Sequence, residues 1–189
     1  VLTLVYSEGF RAPSLSELYL LHTSSYGLTM QGNPYLLPEK VQAIEIIHEN
    51  LQSDYWHWSI SLFHNRYENM IDFVYTVPVL AINREGVTGN GIEYKFQFGV
   101  IDAISFSGSC AYLNMSDRGG DPILYRSKHR GQLYINYQNK LIKIRVGVQA
   151  WSKQNYEDFL SHHYQLVDEK IIFPFRELPE RVIPELILS

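Results

Sequence analysis

The side chains of this sequence best suited to chemistry on their own are its histidines, and two of them, His162 and His163, stand next to each other with Tyr164 following. Adjacent residues of an extended segment point to opposite faces, so one metal ion would not readily take both imidazoles. The pair therefore reads as solvated loop residues, and no metal site is expected. Catalysis finds no support either. There is no Gly-x-Ser-x-Gly elbow, phosphate loop, His-Glu-x-x-His or cysteine pair, and the Ser, His and Asp residues show no paired spacing. No catalytic residue and no cofactor are expected. Cys110 is the single cysteine, which excludes an intramolecular disulfide framework. Asn114-Met115-Ser116 has the form of a glycosylation acceptor, a reading that presupposes a eukaryotic secretory route.

The side chains with more to offer are aromatic and basic ones in stretches punctuated by Pro and Gly. The first stretch, Gly9 to Lys40, contains Pro13, Pro34 and Pro38, each of which removes a ladder donor and restricts the residue before it. It reads as a long loop between two strands, and loops of about 30 residues are usually functional. It carries Tyr19, His22, Tyr26 and Tyr35. Later stretches carry Arg84, then Asp117 and Arg118, then His162, His163 and Tyr164. Rings stack and cations pair with anions, so these are the candidate contacts to a small-molecule ligand.

The segments between these stretches alternate with period two, the mark of half-buried strands. Val41 to Asn50 sets Ile44 and Ile46 against Ala43, Glu45 and Glu49. Trp56 to Tyr67 sets Trp56, Trp58, Ile60 and Leu62 against His57, Ser59 and Ser61. Residues 68 to 86 read as a second long loop, with Phe73 to Ala81 able to extend the flanking strands. Val87 to Phe98 alternates cleanly, Gly99-Val100 reads as a short turn, and Ile101 to Leu113 follows. Asn114 to Lys128 is a third long connection. His129 to Tyr137, a tight turn at Gln138-Asn139-Lys140, and Leu141 to Trp151 come next, the last setting Ile142, Ile144, Val146 and Val148 against Lys143, Arg145, Gln149 and Trp151. A fourth long connection, Ser152 to Arg181, precedes a last strand, Val182 to Ser189, in which Pro184 weakens the pattern.

About eight strands of roughly 9 to 12 residues result, joined alternately by long loops and short turns, and strands of ~9–11 residues are what a tilted membrane span requires. The chain of 189 residues is 46% hydrophobic, too apolar for disorder, and no run approaches the roughly 18 apolar residues of a membrane helix. Fourteen Tyr, nine Phe and three Trp suit either a large interface or the two aromatic girdles of a membrane barrel. A net charge of -4 with scattered basic residues gives no nucleic-acid footprint. Period two alone does not separate a membrane barrel from a soluble sandwich. Rings at strand ends (Trp56, Phe98, Tyr112, Tyr137, Trp151), spaced charges on the opposite face and the alternation of loop lengths favour an antiparallel up-and-down transmembrane β-barrel segment. A soluble or surface β-sandwich binding module is the alternative.

Gly9-Phe10-Arg11-Ala12-Pro13-Ser14, Glu17-Leu18-Tyr19 and Gly32-Asn33-Pro34-Tyr35-Leu36-Leu37-Pro38-Glu39 resemble, in order, the signature of the TonB-dependent receptors of Gram-negative outer membranes. The resemblance is to the branch that includes cobalamin, haem and siderophore receptors. Glu45, Phe63-His64-Asn65-Arg66-Tyr67, Asn83 with Gly91-Ile92-Glu93, and Tyr125-Arg126 with His129-Arg130 resemble further family segments, although Ser127 stands where the family usually has Pro. The resemblance implies a run of later strands of a barrel of about 22 strands. On that reading residues 1 to 189 are one partial barrel domain of a longer polypeptide, without the plug domain and the final strands. It also implies uptake of an iron chelate, haem or cobalamin, with the receptor's own plug domain, the TonB energy-coupling protein and outer-membrane lipid as partners. Strand phase then turns Glu45, Glu93, Lys95, Lys143, Arg145 and Gln149 toward the lumen, against a plug or along a solvated path, and Arg11 at the rim suits a plug carboxylate. Within Gly9 to Lys40, the Pro-containing motifs would fix where the strands leave and re-enter the wall, and Leu20 to Gln31 would meet the ligand.

Overall fold

The computed structural model describes residues 1–23, 29–50, 55–74, 78–120, 123–157, 165–167, 170–172 and 175–188. In chain order the elements are β1 (Leu2–Arg11), α1 (Leu15–Tyr19), β2 (Leu21–Thr23), β3 (Thr29–Gln31), β4 (Glu39–Asn50) and β5 (Trp56–Glu68). There follow β6 (Met70–Val74), β7 (Val79–Arg84), β8 (Val87–Ile101), β9 (Ile104–Ser116), β10 (His129–Gln138) and β11 (Lys143–Trp151). The last are β12 (Gln154–Glu157), β13 (Gln165–Val167), β14 (Lys170–Ile172), β15 (Phe175–Leu178) and β16 (Arg181–Leu188).

Eight of them make one antiparallel up-and-down sheet in the order β1-β4-β5-β8-β9-β10-β11-β16. It is an open stretch of barrel wall, with β1 and β16 at its two edges. The long connections all leave one end and hold α1 and the short strands, and the short turns all lie at the other.

The register decides which face is which. Leu4, Ile46, Leu62, Ile92 and Tyr112 are successive cross-strand partners, as are Phe96, Gly108, Leu133, Val148 and Pro184. These rows form one continuous apolar face, and it is open: Leu4 is 71% exposed, Leu62 51% and Val146 48%. A soluble sandwich would cover such a face with a second sheet. Among the described residues nothing packs on it, and the buried hydrophobic residues, among them Leu36, Met70, Val79, Val87 and Ile123, all sit at the long-loop end. The apolar face is therefore the lipid face. Rings edge it at the short-turn end, where Trp56 meets Phe98 edge-on at 5.4 Å and stacks toward Phe96 at 6.4 Å. Toward the loop end Tyr112 and His129 lie 5.1 Å apart. Trp151 shares the inner face with its partner Arg130, and the Arg181 guanidinium lies 5.8 Å from its ring centre.

Several strand limits differ from the sequence expectation. β1 continues through Gly9, Phe10 and Arg11, which pair with Val41, Lys40 and Glu39, so the first loop begins after Arg11. Residues 68 to 86 hold a hairpin, β6 with β7. Gly99-Val100 is not a turn: β8 runs on to Ile101, its register with β9 shifts between Gly99 and Ile101, and on the other side the Gly99 N–H donates to the Tyr55 carbonyl at 2.8 Å. A bulge of this kind breaks the alternation and mimics a strand end. β11 starts at Lys143 because the Asn139 side chain accepts the Leu141 and Ile142 N–H groups, each at 2.8 Å, and so prolongs the turn. Pro184 does not interrupt β16, in which it stands opposite Val148.

Gly91 has a specific reason to be glycine. Its inner face is covered by the Phe63 ring of the neighbouring strand, and a Cβ there would strike both that ring and the Tyr112 carbonyl.

Candidate functional site at the loop end

The first two long connections form one structure, a four-stranded sheet in the order β2-β3-β7-β6. The unusual joint is parallel: Met30 and Gln31 of β3 pair with Val79 and Leu80 of β7. What holds this sheet to the wall is a set of polar contacts made by the motif residues.

Ser14 caps α1. Its hydroxyl accepts the Glu17 N–H at 3.2 Å, and the Glu17 carboxylate accepts the Ser14 N–H at 2.7 Å, a reciprocal capping box. Both oxygens of the same carboxylate accept from Arg11 Nη1 at 3.0 Å, and Arg11 Nη2 reaches Glu39 at 3.4 Å. Glu39 in turn accepts the Ile71 N–H of the second connection at 3.0 Å. Burial works to raise the pKa of Glu17, but the hydrogen bonds from the Ser14 backbone, the Ser14 hydroxyl and Arg11 outweigh it and leave the carboxyl below its ordinary value.

Asn33 joins the loops. Its N–H donates to the Glu17 carbonyl at 2.8 Å, and its Nδ2 donates to the Ala81 carbonyl at 3.1 Å. Gly32, just before it, would place a Cβ 2.7 Å from the Leu18 backbone, so no other residue fits this crossing. Asn83 imitates a strand neighbour for Leu37: Oδ1 accepts the Leu37 N–H at 2.8 Å, and Nδ2 donates to the Leu37 carbonyl at 3.0 Å and to the Asn69 carbonyl at 2.9 Å. Arg84 bridges Asp72 at 3.0 Å and Asp117 of the third connection at 2.9 Å. Beneath them Met70, Val87 and Ile123 form a small core with Tyr67 and Met115.

Of the residues expected to meet ligand, Tyr19, His22, Tyr35 and Arg118 are exposed at this end. His22 lies opposite Met30 across the β2–β3 hairpin. The Arg84 guanidinium is engaged by two carboxylates of its own chain, as is that of Arg11. Tyr26, His162 and Tyr164 lie outside the described residues. On the inner face Glu45 accepts a hydrogen bond from Ser61, and Glu93 pairs with Lys95 at 2.9 Å and with Arg130 at 3.8 Å. Lys143 stands opposite Gln138, near the short turn. Arg145 donates to Asn136 at 2.8 Å and lies over the Tyr134 ring. Gln149 donates to the Tyr134 hydroxyl at 2.9 Å and to Glu185 at 2.8 Å.

Below the loops the inner face forms a concavity of about 790 Å³, whose lining includes Tyr67, Trp151, Arg126, Lys128 and Arg130. None of these three cations is among the ligand contacts expected from the sequence. Their signal was present: they occupy alternate positions, 126, 128 and 130, and so share one face where the chain is extended.

The family model for the TonB dependent receptor-like β-barrel matches residues 2–168. The chain belongs to this family. Over 74 residues, 39% of its length, it is 38% identical to hemoglobin-binding protein A of Haemophilus influenzae, of which that stretch is 7%. Among solved structures, the siderophore receptor PirA from Acinetobacter baumannii superposes with a TM-score of 0.69 at 14% identity, covering 99% of this chain and 32% of that one. A variant of the ferric enterobactin receptor PfeA from Pseudomonas aeruginosa, in complex with enterobactin, gives 0.68 at 17% identity over 98% of this chain and 30% of that one. Identities this low establish a shared fold. The chain spans about a third of the length of these solved receptors. As a wall of this family it belongs in the bacterial outer membrane, its apolar face toward lipid.

Proposed function

We propose that the receptor containing this wall imports an iron-bearing nutrient, haem foremost, with energy delivered by the TonB protein through a plug domain inside the barrel. The observation that carries the reading is His22, an exposed imidazole on a two-stranded hairpin at the loop end of the wall, next to the motif clamp formed by the Arg11–Glu17, Asn33–Ala81 and Asn83–Leu37 contacts. A histidine nitrogen is the commonest protein ligand of haem iron, and similarity to a protein named for haemoglobin binding supports the same cargo. A ferric siderophore is the second reading, favoured by the solved neighbours named as siderophore receptors.

The test is a titration of the whole receptor, purified in detergent, with haem, followed by the haem absorption band. His22→Ala should weaken binding by about tenfold or more, the loss of roughly 1.4 kcal/mol or more of coordination. Equal haem affinity in the two proteins removes His22 as the iron ligand. Tight ferric siderophore binding without haem binding selects the second reading.

A further inference from the structure

We propose that Arg126, Lys128 and Arg130 form a cationic ladder on the inner wall that receives the carboxylates of the cargo, so that the ligand class is a planar apolar body carrying two or more carboxylates. The balance of charge along this wall favours an anionic occupant. Among the described residues the concavity is lined by Arg11, Arg126, Lys128 and Arg130 and by two carboxylates, Glu39 and Asp72. Both carboxylates are taken: Glu39 by Arg11 and the Ile71 N–H, Asp72 by Arg84.

On the far side of the ladder, Arg126 and Lys128 also line a smaller recess of about 370 Å³ with Glu177 and Glu180. There Glu177 pairs with Lys153 at 3.1 Å. Glu93 approaches Arg130 only to 3.8 Å and holds Lys95 more closely. Among the described residues, then, Arg126 and Lys128 have no carboxylate at ion-pair distance and Arg130 has one loose contact. Such cations on a concave wall focus potential toward an anion. The guanidinium fork matches a carboxylate in geometry as well as charge. Tyr67, which also packs on the small core, and Trp151, whose ring also meets Arg181, line the same concavity and give it aromatic surface for a flat apolar body.

This deepens the proposed function, since haem is a flat dicarboxylate, but it does not depend on iron coordination, and the probes are chosen accordingly. The whole receptor in detergent is titrated with metal-free protoporphyrin IX and with its dimethyl ester, read by porphyrin fluorescence. The variant Arg126→Gln/Lys128→Gln/Arg130→Gln is compared with the native receptor, and Lys128→Gln serves as a milder second variant. The native receptor should bind the diacid, more weakly as salt rises, and the triple variant should lose about tenfold or more of that affinity while binding the diester as the native receptor does.

Absence of diacid binding to the native receptor, or diacid affinity unchanged in the variants, overturns the ladder. Equal weakening of diacid and diester, together with earlier heat denaturation of the ligand-free receptor, also overturns it and assigns the three cations to plug carboxylates instead. Failure of the His22 test with the ladder intact would remove iron coordination by His22 alone.

Discussion

Glu17 shows how much of the loop geometry a single carboxylate can hold. It accepts from the backbone of the residue it is capped by, and from an arginine in the barrel wall, while its own carbonyl accepts from Asn33. Its folded-state pKa lies below the unfolded value, so the stabilisation is fully present above the unfolded pKa of about 4.3 and is lost as pH falls through the folded value. The amides of Leu15–Tyr19 should therefore exchange more readily with solvent, after correction for intrinsic rate, as pH falls below the unfolded value and through the folded one. Glu17→Gln should show the faster exchange already at pH 7. A corrected exchange profile that stays flat from neutral to acid would count against Glu17 as the link. The sequence exposed Arg11, Glu17, Asn33 and Asn83 as a motif set but not the contacts they make. Arg11 suited a plug carboxylate and Arg84 a ligand, yet each meets carboxylates of this chain, and those of Arg84 lie 12 and 33 positions away. No local pattern encodes contacts created by loop closure.

The strands themselves were legible, because a wall with lipid on one side and polar contents on the other imposes period two on every one of them. Alternation failed where something local competed with it: the bulge at Gly99, the side-chain turn at Asn139, and the short hairpin β6–β7, in which Met70, Val79 and Ala81 are buried beside polar Asp72 and Asn83. The parallel joint between β3 and β7 was out of reach, since it unites segments about 50 residues apart through two register pairs. The division of the first loop into holding parts and a presenting part, Leu20 to Gln31, was drawn from the motifs. The Arg11–Glu17, Asn33–Ala81 and Asn83–Leu37 bonds lie outside that middle, whereas the β3–β7 joint at Met30 and Gln31 and the Leu20 carbonyl that accepts the Gly32 N–H lie within it. Replacing Leu20 to Gln31 by a Gly/Ser linker should leave the receptor able to assemble, as judged by heat-modifiable mobility on a denaturing gel, and should abolish haem binding. A receptor that no longer assembles would show that the β3–β7 joint, not the motif clamp, holds the loops.

For the molecule as a whole, the distribution of apolar surface is what separates a membrane wall from a soluble sheet. The buried hydrophobic residues gather under the loops, whereas the broad face around Leu62, Leu133 and Val146 stays open. In water such a face is a large aggregation-prone patch, and the edges of β1 and β16 add unpaired backbone groups that lipid does not tolerate. Both are relieved when the barrel closes in a bilayer. The two environments assign different costs to the same substitution. Val146 lies mid-strand on the outer face, flanked by its partners Ile135 and Leu186. On a soluble sheet Val146→Arg would change stability by about 0.5 kcal/mol or less, as exposed substitutions do. At the midplane of a bilayer the same change costs about 2–4 kcal/mol, with the cost shrinking toward either interface. Urea titration of the whole receptor refolded into phospholipid vesicles should give the larger value for Val146→Arg. Tyr137→Arg, near the short-turn girdle, should cost less than Val146→Arg because the headgroup region can solvate the guanidinium. Equal small costs at both positions would mean that this face does not meet hydrocarbon.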